Sequence, residues 1–345
     1  VRTHEGGELR VDVLVTGGAG YIGSAVVLAL ADAGHRPIVL DDLSTGRREL
    51  VAGRDCYVGD VADRSLVRRI LRRHPGIEVA IHCAARVVVP ESVARPAAYY
   101  RTNVVGTLDL VETLADNGVD RVVFSSSASI YAPGADLSVD ESSPWAPASP
   151  YARTKAMVET VLGDLAAAGD LRALSLRYFN PIGADPLLRT GPQLPEPSAV
   201  LGCIVRAHRS RTPFTITGTD YPTPDGTGLR DYVHVWDLAR AHVRAVEDFD
   251  RVLGDERHLA LNLGTGRGTT VRELVSAFER VTGQRLRVVE APRRPGDQAG
   301  AATRTDLAER LLGWRAEHDV TAGIAHTLQW FDRREHVLPG IGLAS

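Results

Sequence analysis

Three observations predict the fold of this 345-residue chain. Short apolar strands alternate with longer amphipathic helices. A Gly-x-x-Gly-x-x-Gly turn joins the first strand to the first helix. An acid closes the second strand. Together they predict an α/β protein: a Rossmann-type, doubly wound parallel sheet with a smaller interleaved C-terminal substrate lobe.

Val11–Thr16 is rich in Val and Leu, as a strand covered on both faces must be. Further strands are expected at Pro37–Leu40, Cys56–Val58, Val79–His82, Arg121–Phe124, Leu171–Arg177 and Leu259–Leu263. Helices are expected from the glycine turn to about Ala33, and at Ser65–Arg73, Ala97–Asn117 and Pro150–Ala168. Past Arg177 the texture changes. Asn180 to Pro197 reads as an irregular Pro/Gly-rich loop, followed by a helix near Ala199–Arg209 and a strand at Phe214–Thr217. Val235–Glu247, Thr270–Thr282 and Arg304–Leu312 read as helices. The expected organisation is a tail over 1–10, a dinucleotide-binding domain over 11–178 with 232–265 returning to it, a substrate lobe from 179–231 and 266–335, and a tail over 336–345.

Composition is that of an ordinary globular protein, 44% apolar and 24% charged. A net charge of −3 gives no basic field for nucleic acid or anionic membrane. No apolar run is long enough to cross a bilayer. Cys56, Cys83 and Cys203 lack metal-ligand spacing, so no metal is expected; as reduced thiols they point to the cytoplasm.

Gly17, Gly20 and Gly23, with Tyr21 and Ile22 opening the helix, suit a pyrophosphate: glycines admit close backbone approach, and the helix N-terminus supplies N–H groups. Asp41, followed by Asp42, suits adenosine ribose hydroxyls and repels a 2′-phosphate, which favours NAD over NADP. Arg47 and Arg48 stand nearby, either as solvated loop charges or as a counterweight to that preference. Asp60-Val61 follows the third strand, where an acid either reaches the adenine amino group or caps the next helix. Cys83-Ala84-Ala85 supply small residues beside a flat cofactor. His82 reads as a core histidine and Asn103 as a buried backbone brace.

Ser149 caps a helix with Pro150 at its first position. Tyr151 and Lys155 then project from one face of its first turn. An ammonium beside a phenol favours the phenolate, so the pair can move a proton near neutral pH. Ser127, at the carboxyl end of the fifth strand with Ser125 behind it, faces the pair across the cofactor.

With these motifs in view, the chain resembles the extended short-chain dehydrogenase/reductases, in particular the UDP-hexose 4-epimerases typified by UDP-galactose 4-epimerase. The match runs from about Val11 to Trp330 and includes Glu91-Ser92-Val93, Phe124-Ser125-Ser126-Ser127, Ser149-Pro150-Tyr151, Leu176-Arg177-Tyr178-Phe179-Asn180-Pro181 and Arg230-Asp231-Tyr232-Val233-His234-Val235. The resemblance implies that Tyr151, as phenolate, takes the sugar 4-hydroxyl proton with Ser127 as partner or shuttle. Hydride then leaves C4 for the nicotinamide and returns to the other face of a 4-keto sugar. Lys155 tunes the phenol and bonds the nicotinamide ribose; Ser125 and Tyr178 join the cofactor set. It further implies that Asn180, Val200, Thr215, Thr217, Arg230, Tyr232, Arg294 and Asp297 hold the uridine and pyrophosphate. A homodimer through the helices near Ala97–Asn117 and Pro150–Ala168 is implied as well.

The chain departs from the pattern at Val87, Thr102 and Ala199, and at Gly300-Ala301-Ala302, where a bulky aromatic often closes the sugar pocket. Arg189 resembles an arginine of a UDP-glucuronate 4-epimerase of antibiotic biosynthesis and could read a C6 carboxylate through a charge-assisted bond. The expected reaction is therefore conversion of UDP-glucuronate to UDP-galacturonate. A UDP-glucose or UDP-N-acetylhexosamine 4-epimerase is the alternative, and a UDP-glucuronate decarboxylase stands behind it. A dehydratase would need an Asp-Glu pair after the strand-end serine, and Ala128-Ser129 stand there. A cofactor-sensing protein without activity would have no use for both Tyr151 and Lys155.

Overall fold

The computed structural model describes residues 10–195, 199–293 and 298–341. Seven strands build the central sheet: β1 (Asp12–Thr16), β2 (Arg36–Asp41), β3 (Asp55–Val58), β4 (Ile77–His82), β5 (Arg121–Ser127), β6 (Arg172–Tyr178) and β7 (His258–Leu263). Their order across the sheet is 7-6-5-4-1-2-3, and every pairing is parallel.

Successive side chains of a strand point to opposite faces. On β1, Val13 and Val15 pack toward helix α1 (Tyr21–Asp32) and the Val235–Glu247 helix. Leu14 packs the other way, toward the Arg64–Arg73, Gly106–Ala115 and Pro150–Ala168 helices. Both faces are covered, which is why the strands read as unbroken apolar runs. After β3 the chain crosses back to β4 on the other side of β1. Between β1 and β4 the connections diverge, and this opens a crevice at the carboxyl edge of the sheet.

Strands outside the central sheet belong to a smaller lobe, whereas Ala308, Leu312 and Trp314, expected in that lobe, pack into the central-sheet core. Leu229–His234 pairs in parallel with Asn180–Ile182 and antiparallel with Gly268–Thr270. Asn180–Ile182 is thus a strand where a loop was expected: the partner strand satisfies its backbone groups despite Pro181. Phe214–Thr217 pairs with Val288–Ala291. An apolar cluster from Ile204, Val205, Phe214, Ile216, Tyr232, Leu274, Phe278 and Ile324 holds this lobe together. A helix not anticipated from the sequence, Val320–Val337, closes the structure and runs past residue 335, where the lobe was expected to end. The expected Ala97–Asn117 helix is interrupted by a π-type turn at Tyr100–Val105, between Pro96–Tyr99 and Gly106–Ala115.

Candidate active site

Gly17 follows β1 with φ of +66°, and a Cβ there would lie 2.6 Å from the backbone nitrogen of Ala84. A Cβ on Gly23 would lie 2.1 Å from the Gly17 carbonyl oxygen. Two chain segments therefore meet backbone to backbone at the crevice, and the N-terminus of α1, at Gly20, opens beside them. The bed is bare of side chains, as close approach of a pyrophosphate requires. Asp41, the last residue of β2, is buried; its carboxylate accepts from Ala19 N at 2.9 Å and Leu43 N at 2.8 Å. Each oxygen keeps a further lone pair for a ribose hydroxyl. Asp42 is exposed and accepts from the Ser44 amide and hydroxyl. Asp63, not Asp60, caps the Arg64–Arg73 helix through the Ser65 and Leu66 amides. Asp60 lies in the loop before it, exposed, beside buried Val61. These residues fit an adenine dinucleotide with free 2′-hydroxyls.

The strand ends complete the floor. His82 is enclosed between the hydroxyls of Thr16 (2.7 Å) and Thr107 (2.8 Å), and burial pushes it down to about 3, so it is a neutral core histidine as expected. Asn103 braces backbone, also as expected: its side chain bonds both the amide and carbonyl of Arg86 and reaches the Thr154 hydroxyl at 3.0 Å. Half-buried Cys83 and buried Ser125, Tyr178 and His242 form a chain. Ser125 Oγ lies 3.0 Å from Cys83 Sγ and 2.8 Å from Tyr178 Oη, and Tyr178 meets His242 Nε2.

Ser149 caps the Pro150–Ala168 helix by accepting from Ala152 N at 3.1 Å, and Pro150 fills its first position. That helix delivers Tyr151 and Lys155 to the carboxyl end of β5. Ser127 accepts from the Ser129 amide and donates to its hydroxyl at 2.9 Å. Burial raises Tyr151 above the usual phenol value, and a hydrogen bond with Ser127 draws it back. The expected lowering by Lys155 is not what the geometry provides. Lys155 Nζ donates to the Ser125 carbonyl at 2.6 Å and lies 4.7 Å from the Phe124 ring centre. Burial lowers Lys155 to about 8, which leaves it charged at neutral pH.

Above this floor, Asn180 and Tyr232 are register partners in the lobe sheet. Tyr232 is buried, and its hydroxyl finds no partner among the described residues. Arg230 is held by the carbonyls of Leu229, Gln298 and Ala299, which orient the guanidinium without cancelling its charge. Val200 opens the Val200–Arg209 helix, and Thr215 and Thr217 lie on the outward face of their strand. Arg294 and Asp297 lie outside the described residues.

Arg189 is elsewhere, and this corrects the sequence reading. Its guanidinium is chelated by Asp32 (2.9 and 2.7 Å) and by buried Asp185, and lies 5.3 Å from the Trp236 ring centre. Asp32 ends α1, whereas the glycine turn begins it. At the helical rise the two are separated by roughly 16 Å. Two carboxylates have claimed the charge, so Arg189 has none to offer a sugar acid. The sequence reading also passed over Glu159, Arg177 and His242. The signal for Glu159 was that it continues the four-residue spacing of Tyr151 and Lys155, and for Arg177 that it is a charge in a mostly apolar strand; His242 had none.

Comparison with known proteins agrees with this geometry. Residues 13–264 match the model of the NAD dependent epimerase/dehydratase family. The chain belongs to that family. It is 44% identical over 321 residues to a UDP-glucose 4-epimerase of Azospirillum brasilense, covering 92% of this chain and 91% of the relative. It is 43% identical to that of Rhizobium meliloti, covering 94% and 98%. Among solved structures, a Stenotrophomonas maltophila UDP-glucose 4-epimerase with bound NAD and formylated UDP-arabinopyranose superimposes with a TM-score of 0.88 at 39% identity. It covers 94% of this chain and 99% of that one. By sequence and fold the chain is similar to the UDP-hexose 4-epimerases.

Proposed function

We propose that this family member interconverts UDP-glucose and UDP-galactose by inverting C4, with NAD as resident cofactor. The observation that carries the reading is the meeting of Tyr151, Lys155 and Ser127 at the carboxyl edge, beside the bare glycine bed. When bound, the nicotinamide supplies the two-electron oxidation of C4 and its reversal. Tyr151 Oη takes the 4-hydroxyl proton and later returns it. Ser127 shares its hydrogen bond with that oxygen and keeps the sugar oxygen within reach of both. Lys155, charged at neutral pH, would hold the cofactor ribose and would place its positive charge on the side of the site where the phenolate forms. Asn180, Arg230 and Tyr232 hold the nucleotide, which leaves the hexose free to turn and present either face. Arg294 and Asp297 are assigned the same task by resemblance.

A neutral hexose fits better than a uronate. The preference for UDP-glucuronate depended on Arg189, which serves two aspartates at the far end of α1. Ala301 packs beside Ile130, Tyr131, Val139, Ala156 and Phe179, and its small side chain favours a second reading in which UDP-N-acetylglucosamine is also accepted. We infer a homodimer as well, because Val93, Val105 and Met157 are exposed on neighbouring helical turns. Sedimentation at the monomer mass would remove it.

The test is product analysis by NMR with UDP-glucose, UDP-N-acetylglucosamine and UDP-glucuronate in parallel. UDP-galactose should form, and UDP-glucuronate should turn over at least about tenfold more slowly, the rate equivalent of one lost charge-assisted contact. A faster rate on UDP-glucuronate overturns the assignment.

A further inference from the structure

Tyr151, Lys155 and Glu159 are spaced four residues apart and so share one stripe of the Pro150–Ala168 helix. Lys155 and Glu159 are both buried, at 4% and 1% exposure. A buried ammonium and a buried carboxylate one turn apart attract each other strongly and pair unless each is held elsewhere. Here each is held elsewhere. Lys155 donates to the Ser125 carbonyl at 2.6 Å. Glu159 is saturated by Arg177: Nε reaches both carboxylate oxygens at 3.1 Å, Nη2 reaches Oε2 at 2.7 Å, and the Ser126 hydroxyl donates to Oε1. Arg177 stands beside Ser126 in the sheet register. Its Nη1 donates to Tyr131 Oη at 2.5 Å and to the Glu141 carbonyl at 3.3 Å.

We propose that Arg177 is a positioning residue for the epimerisation: by occupying both oxygens of Glu159 it keeps Lys155 turned toward the end of β5, where cofactor and Tyr151 need it. The inference rests on Tyr151 and Lys155 forming the catalytic pair. Only a forked cation can fill both oxygens at once. Without it, Glu159 is an uncompensated buried anion, and Lys155 is a cation one helical turn away. Glu159 would then draw the ammonium one turn away from the reacting sugar.

The experiment measures epimerisation of UDP-glucose by the folded, NAD-loaded enzyme well below its melting transition, since losing a buried arginine lowers stability whatever its role. R177M should lower kcat about tenfold or more with KM changed less than about twofold. Adding E159Q, which removes the competing charge, should return kcat to within about threefold of wild type. In a K155M background R177M should cost nothing more, because the residue it acts through is gone. A loss equally large in that background, or one that E159Q does not recover, makes Arg177 a structural strut and overturns the proposal. So does a folded R177M with wild-type kcat. If R177M does not fold, R177K takes its place: lacking the fork, it should lose several-fold in kcat and regain it with E159Q, and wild-type kcat in R177K overturns the proposal. Wild-type turnover of UDP-glucose in the same assay separates failure of this inference from failure of the function beneath it.

Discussion

Lys155 donates to the backbone carbonyl of Ser125 at 2.6 Å, so the ammonium is bonded to the strand end that carries Ser127. The bond fixes the lysine at the cost of burying its charge. An unfolded lysine holds its proton to about pH 10.4, whereas Lys155 loses it near about 8.

Stability and activity should therefore part company at Lys155. Below pH 8 both states are protonated and the burial cost is fully present. Between about 8 and 10.4 the unfolded chain binds more protons, so the cost fades as pH rises. K155M should be more stable than wild type at pH 7, by up to about 3 kcal/mol, with the difference vanishing near pH 10.5. Its kcat should fall by about 10² or more. Urea melts across pH 7 to 10 and initial rates check both halves.

Acid should act through buried histidines. His82 and His234 are lowered to about 3 and His242 to about 4, each chiefly by burial. In the unfolded chain each takes a proton near pH 6.5. As pH falls below that value the unfolded state gains protons that the folded state refuses, and stability drops. Each histidine contributes about 1.4 kcal/mol per pH unit until its folded value is reached. Replacing His82 by Asn should flatten the fall in melting temperature between pH 6.5 and 4.

Gly17 tests the cofactor bed. Alanine there must adopt φ of +66° with its Cβ 2.6 Å from the Ala84 nitrogen. Ala84 cannot retreat without carrying the end of β4 with it. G17A should lose bound dinucleotide, measured by acid release, and about 1–3 kcal/mol of stability.

Arg189→Ala should leave substrate choice untouched. It strips buried Asp185 of a charged partner and should cost about 1–3 kcal/mol, read as a lower melting temperature. The ratio of rates on UDP-glucose and UDP-glucuronate should stay within about twofold of wild type. A change in that ratio would return Arg189 to the sugar.

Tyr232→Phe removes a buried hydroxyl that lacks a partner among the described residues. The free enzyme should gain up to about 1 kcal/mol, while KM for UDP-glucose rises several-fold if that hydroxyl meets the nucleotide. Opposite signs in melting and binding are the signature.

Much of this was legible because local chemistry and global fold agree. Gly17, Asp41 and Ser149 each sit where a turn, a strand end or a helix cap demands that residue type. The expected bounds of the Pro150–Ala168 and Val235–Glu247 helices match those observed. The errors are long-range. Nothing near Arg189 in sequence announces Asp32, which is 157 residues away. Asn180–Ile182 looks irregular until the strand 52 residues later pairs with it, Asn180 against Tyr232. Lys155 and Tyr151 have the spacing of a coupled pair, but spacing does not report the carbonyl of Ser125 that intercepts the ammonium.

The π-type turn at Tyr100–Val105 sets the phase of a long rod. Its wider loop adds a residue relative to an α-helical turn, so side chains before it are rotated by about 100° against those after it. Within it Asn103 points inward to Arg86 and Thr154 while Val105 faces out. Deleting one residue from this turn would leave composition and helicity almost unchanged. It would also swing the amide out of its socket and unhook the loop after β4 from the helix that carries Tyr151. In this protein a single-residue indel on an outer helix is a change to the active site.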